Sequence, residues 1–162
     1  MTMADDNAEF RPSVVDLTDY DEWDGLVIRT DFSDDTAWRR IKAAVDQPSE
    51  FDFSGHFIDD LAWDGASADE VLAALPPDQT SVVFIADTSA MRPEHALLAV
   101  RTWRPNADAD TGEPEEGTFR QFRLLPAAVG EMHINLAIAN MDFEEFSWSA
   151  YEDPDRIHRG FL

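Results

Sequence analysis

Thr80-Ser-Val-Val-Phe-Ile-Ala-Asp87 is the stretch on which the fold turns. Val82 to Ala86 are five consecutive apolar residues, rich in β-branched and aromatic side chains, with no polar face. So short a run suits a buried strand. A matching run lies upstream in Gly25-Leu-Val-Ile-Arg-Thr-Asp31, where Leu26, Val27 and Ile28 form the apolar centre. Between the two lie a helix, a strand and a second helix. Ser33-Asp34-Asp35 reads as a helix start, with Ser33 as cap and two carboxylates near the positive end of the helix dipole. Trp38, Ile41 and Val45 fall on one helical face, and Gln47-Pro48 stops the turn series. Phe51, Phe53 and Phe57-Ile58 suggest a strand. Ser67-Ala-Asp-Glu70 has the spacing of a capping box, followed by apolar Val71, Leu72 and Leu75 and a stop at Pro76-Pro77.

Downstream, a turn at Arg92-Pro93 precedes a further strand over 96–103. Residues 105–117 carry five acids and no base and read as a hairpin loop, with 117–125 as the returning strand. Pro126 suits a first helical position, and Val129, Met132, His133 and Leu136 share one face of a helix over 127–139, closed by Asn140. Asp142 with Glu145 opens another short helix, and Ile157, Phe161 and Leu162 are expected to dock back. Strands alternating with helices predict parallel neighbours; the hairpin predicts an antiparallel part. The expectation is an α/β fold: a mixed sheet of about five strands, parallel first and with a hairpin in the C-terminal half, flanked by helices. Residues 25–162 form a single domain. Residues 1–24 are a partly disordered acidic segment, mobile over 1–14 and packing over 15–24 through Leu17, Tyr20 and Trp23.

Charge bounds the function. The chain has 34 Asp plus Glu against 12 Lys plus Arg, a net of −22 in 162 residues. Residues 1–24 hold eight of the acids and only Arg11 as a base, so most of the excess is spread over the body. A field of this sign repels nucleic acid and anionic lipid and attracts basic partners. Salt adaptation, or a GC-rich coding bias favouring Arg and Asp, accounts for the same surplus. With 44% hydrophobic residues the acidity overlies a real core, and wholesale disorder is not expected. There is no cysteine, hence neither a disulfide framework nor a thiolate metal site. Neither a signal peptide nor an apolar run of membrane-spanning length is present, so a cytoplasmic protein is expected. No cofactor is expected either, and the state is read as a monomer or small homo-oligomer.

Ile28-Arg-Thr-Asp-Phe-Ser-Asp-Asp-Thr-Ala-Trp38 and Asn135-Leu-Ala-Ile-Ala-Asn-Met-Asp-Phe-Glu-Glu-Phe146 resemble the opening and closing signatures of an uncharacterised family of small actinobacterial proteins. Pro93-Glu-His95 and Val82–Asp87 are similar to it as well, so the likeness spans about residues 25–162. It implies a bacterial, cytoplasmic, single-domain protein and supplies no catalytic residues.

Two constellations carry chemistry. In the first, Asp31, Asp87 and Asp59-Asp60 follow three apolar strands. Ligands in open α/β sheets gather beyond the carboxyl ends of parallel strands, and clustered carboxylates there suit Mg²⁺ and metal-assisted hydrolysis. Asp is also a routine strand-end and cap residue, so 22 of them invite chance placement. The second is acidic recognition of a basic protein. Asp108, Asp110, Glu113, Glu115 and Glu116 crowd the loop; Asp142, Glu144 and Glu145 open the last helix, among Phe143, Phe146, Trp148 and Tyr151. Aromatics supply contact energy and carboxylates steer and pair with cations. The competing reading makes those aromatics core and the acids their solvated face. His56, His95, His133 and His158 show no paired spacing, and no Gly-x-Ser-x-Gly elbow or glycine-rich phosphate loop is present. Direct nucleic-acid binding needs clustered bases; here Arg39, Arg40, Arg101, Arg104, Arg120 and Arg123 are expected to pair with nearby acids. The chain therefore reads as a non-catalytic acidic binding module of immunity, inhibitor or nucleic-acid-mimic type, with a divalent-metal hydrolase as the alternative.

Overall fold

A computed structural model of the chain describes residues 12–47, 53–76, 79–102 and 120–161. Within them one six-stranded sheet runs in the order β2-β1-β3-β4-β5-β6. The strands are β1 (Gly25–Arg29), β2 (Gly55–Ile58), β3 (Val82–Ala86), β4 (Leu97–Arg101), β5 (Gln121–Leu124) and β6 (Ile157–His158). The helices are α1 (Asp35–Val45), α2 (Ala68–Ala74), α3 (Val129–Ala137) and α4 (Phe143–Glu152). The sheet is mixed, as the residue pattern predicts. β1 pairs in parallel with β2 and with β3, β3–β4–β5 is antiparallel, and β6 returns parallel to β5.

The two continuous apolar runs lie in the centre of the sheet because both its faces are covered. Val27, Val82, Phe84 and Ala86 face one layer, where α1, α3 and α4 contribute Trp38, Ile41, Met132 and Phe146. Leu26, Ile28, Val83 and Ile85 alternate to the other face, beneath Trp63, Val71 and Ala74. The second layer is thin, and the N-terminal segment completes it. Val15 is buried and its amide donates to the carbonyl of Ala74, while Leu17 and Tyr20 pack alongside. Trp23, expected to anchor this segment, is instead 48% exposed. Val15 does that work.

Local chemistry explains the element ends. The capping box at Ser67 and Glu70 forms, with the Ser67 hydroxyl accepting from the Glu70 amide and the Glu70 carboxylate from the Ser67 amide. At α1 the cap is Asp34, which accepts from the amide of Ala37; Ser33 is not the cap and donates to Asp31. Asn140 does not close α3 by a left-handed turn. Ala139 takes that conformation, with φ +56°, and Asn140 donates its side-chain amide to Asn135. β6 is too short, at two residues, to announce itself in a sequence pattern.

Candidate functional site

The sheet's parallel strands β2, β1 and β3 end together, and their ends bring Asp59, Asp31 and Asp87 to one edge of the molecule. Each carboxylate there is already engaged. Arg29, the last residue of β1, is buried, and its guanidinium lies 2.7 Å from Asp35 and 3.4 Å from Asp59 while its Nε donates to the carbonyl of Asp31. The same guanidinium stacks on Phe32 and approaches the Trp38 ring. Asp59 also accepts from the Trp38 indole at 3.2 Å. Asp31 accepts from the Ser33 amide and hydroxyl and, across to the next strand's loop, from Thr88 at 2.8 Å. Partial burial opposes its charge, but the Ser33 and Thr88 hydrogen bonds outweigh that, and its carboxyl sits below the ordinary range. Asp87 receives both guanidinium nitrogens of Arg123, at 2.7 and 2.8 Å, and the amide of Ala90. Asp60 accepts from the amide of Ala62 at the start of the 3-10 turn Leu61–Trp63. Among the described residues no group of three or more His, Cys, Asp or Glu side chains is disposed to hold a metal ion.

The acidic segment 142–155 divides differently from either expectation. Phe143 and Phe146 are buried, on the core face of α4. Trp148 is 42% exposed and stacks on Tyr151, ring centroids 5.5 Å apart and 27° from parallel. Glu145 reaches back to the Asp142 amide at 2.9 Å, while Asp142 is exposed. Glu144 pairs with Arg101, the last residue of β4, whose guanidinium also lies over the Phe143 ring. The five loop acids Asp108, Asp110, Glu113, Glu115 and Glu116 lie outside the described residues. The strand ends that carry their loop do not: the Arg101 amide donates to the carbonyl of Arg120, and Arg120 pairs with Asp69.

Of the arginines expected to pair with acids, Arg101, Arg120 and Arg123 do so, Arg39 donates to the Thr36 hydroxyl, and Arg104 lies outside the described residues. Sequence reasoning missed two arginines that each hold more than one acid. Arg29 looked like part of a strand. Arg159 binds Glu94, 65 residues before it, together with Asp153 and Asp155 at the end of the acidic segment.

Two histidines are buried and held below their ordinary value of 6.5. At His133, burial is the main cause, against a hydrogen bond from its Nε2 to the Glu22 carbonyl at 2.8 Å; its Nδ1 has no partner. At His158, burial again leads and the nearby Glu131 carboxylate opposes it. His158 Nδ1 lies 2.9 Å from the Ser149 hydroxyl, and its Nε2 is 3.6 Å from Glu131. These residue types recur in nucleophilic relays. Here the imidazole is fully buried, the Glu131 contact is beyond hydrogen-bond length, and Phe146 and Phe161 pack on the ring. The group clasps β6 onto α3 and α4.

Residues 24–161 match the family model of DUF6924, a domain of unknown function. The chain belongs to that family. No curated protein and no solved structure matches it. No helix among the described residues is long and apolar enough to cross a membrane.

Proposed function

We propose that this DUF6924 protein is a non-catalytic acidic binding module whose partner is a basic protein, in the manner of an immunity protein, an inhibitor or a nucleic-acid mimic. One juxtaposition supports the reading above all. Arg101 ends β4 and pairs with Glu144 in the first turn of α4, so the strand that leads toward the five acids at 108–116 ends beside the acidic start of that helix. Two acid-dense segments far apart in sequence are thereby rooted at one place. Trp148, exposed in the second turn of α4, adds an aromatic of the kind that dominates binding energy at interfaces. Opposite charge raises the encounter rate and selects the partner, and salt screens it over about 10 Å at 0.1 M.

The reading carries a cytoplasmic setting, no direct contact with nucleic acid or membrane, and a monomer or small homo-oligomer. The metal-hydrolase alternative gains no supporting observation, since Asp31, Asp59, Asp60 and Asp87 are each engaged by protein donors.

The test is a pull-down at low and moderate salt with the wild type and with a variant in which Asp108, Asp110, Glu113, Glu115, Glu116 and Asp142 become Asn or Gln. The wild type is expected to retain a basic protein at low salt, with loss in the variant and at higher salt. Retention of nothing basic under either condition, or equal retention by the variant, overturns the proposal.

A further inference from the structure

We infer that Trp148 and Tyr151 form a guanidinium-stacking platform that makes the acidic surface prefer arginine over lysine in its partner; the inference rests on the binding-module reading and names the side chain it takes. Three observations carry it. The indole of Trp148 is flat and partly at the surface. Trp148 stacks near-parallel on Tyr151 at 27°, so the pair offers a flat indole backed by a second ring and not the crossed walls that cage an ammonium, and Trp148 remains 42% exposed. Next, the ring system already receives a guanidinium from the chain itself. Arg156 lies 4.4 Å from the Tyr151 centroid, held there by a turn in which its own φ is +60°, a left-handed value uncommon for a residue with a side chain. Finally, helical spacing surrounds Trp148 with carboxylates. Glu144 and Glu145 precede it by four and three residues and Glu152 follows by four, so all share its side of α4.

The chemistry separates the two cations. Arginine is planar, weakly hydrated and stacks on aromatic faces while its N–H groups reach carboxylates at the rim; lysine is a compact, strongly hydrated point charge with nothing to stack. The carboxylates attract both. The flat aromatic face is the part of the surface that lysine cannot use.

Calorimetric titration of the full chain with arginine-only and lysine-only peptides of equal length and charge tests this directly. The arginine peptide is expected to bind roughly two- to fivefold tighter, the ratio that an exposed cation–π contact supplies. Trp148→Ala should bring the two affinities together, and Trp148→Phe should leave part of the difference. Glu145→Gln with Glu152→Gln should weaken both peptides alike. The Trp148 indole N–H resonance, assigned by its absence in Trp148→Phe, should shift with the arginine peptide and much less with the lysine peptide. Equal affinities in the wild type, or a preference that survives Trp148→Ala, overturn the platform while the acidic module stands. Binding of neither peptide overturns both.

Discussion

The carboxyl edge of the sheet and the outer face of α4 are both rich in acids, yet they use them in opposite ways. At the edge, three of the four aspartates that the residue pattern marks for a metal are held by donors from elsewhere in the fold: Arg29 and Trp38 on Asp59, Thr88 on Asp31, Arg123 on Asp87, while Asp60 caps its own 3-10 turn. On α4, Asp142 and Glu145 serve the first turn of their own helix and stay at the surface beside an exposed tryptophan. Residue type alone does not separate these roles. The supply of cations from other strands does, and it follows from topology, because Arg29, the last residue of β1, and Arg123, the last but one of β5, lie near that edge.

The contrast breaks first, and hardest, at Arg29. Arg29→Ala removes a buried guanidinium, its stacking on Phe32 and the partner of two carboxylates; a loss of about 3 kcal/mol is expected in chemical denaturation, the lower end of the range for a broken buried pair because Asp35 and Asp59 still reach water. Asp87→Asn comes next. It weakens a bidentate, half-exposed pair with Arg123, for which about 1–2 kcal/mol is expected by the same measurement. A loss below about 0.3 kcal/mol at either site would show that the edge is no more structural than α4.

Acid sharpens the same comparison. His133 and His158 have folded values depressed below 6.5, so the folded state prefers them neutral. Their contribution is present above the unfolded value and is lost as pH falls from it toward the folded values. Thermal scans should therefore show Tm falling as pH drops from about 7 to about 5, with a shallower fall in His133→Gln and His158→Gln. Asp31 and Asp35 are also held below their ordinary 3.8, Asp35 by Arg29, so a second loss follows as pH falls below that value through their folded values. The smallest effect belongs to α4. Asp142→Asn keeps a good cap and Glu145→Gln keeps the reach to the Asp142 amide, so stability should change by less than about 0.5 kcal/mol while retention of a basic partner falls.

Much of this was readable from residues alone, for physical reasons. Runs without a polar face, as at Leu26–Ile28 and Val82–Ala86, have few homes other than a covered sheet. A capping box such as Ser67–Glu70 is a local hydrogen-bond exchange, so local sequence suffices to find it. Pairing between Arg29 and Asp59, or Arg159 and Glu94, is not local, and nothing in the neighbouring residues announces it. The exposure of Trp148 beside buried Phe146 was equally hidden, because α4 places aromatics on both sides and its periodicity is blurred. Position along the helix, not composition, separates the two.

The stretch before residue 24 is, for the second face of the sheet, a roof tile laid from outside the shared domain. A chain cut back to the family boundary would strip Val15, Leu17 and Tyr20 from above Ile28, Val71 and Val83, wetting apolar surface and freeing the Ala74 carbonyl that Val15 serves. Relatives lacking such a tile must seal that face by bulkier side chains of their own, or by pressing it against something else.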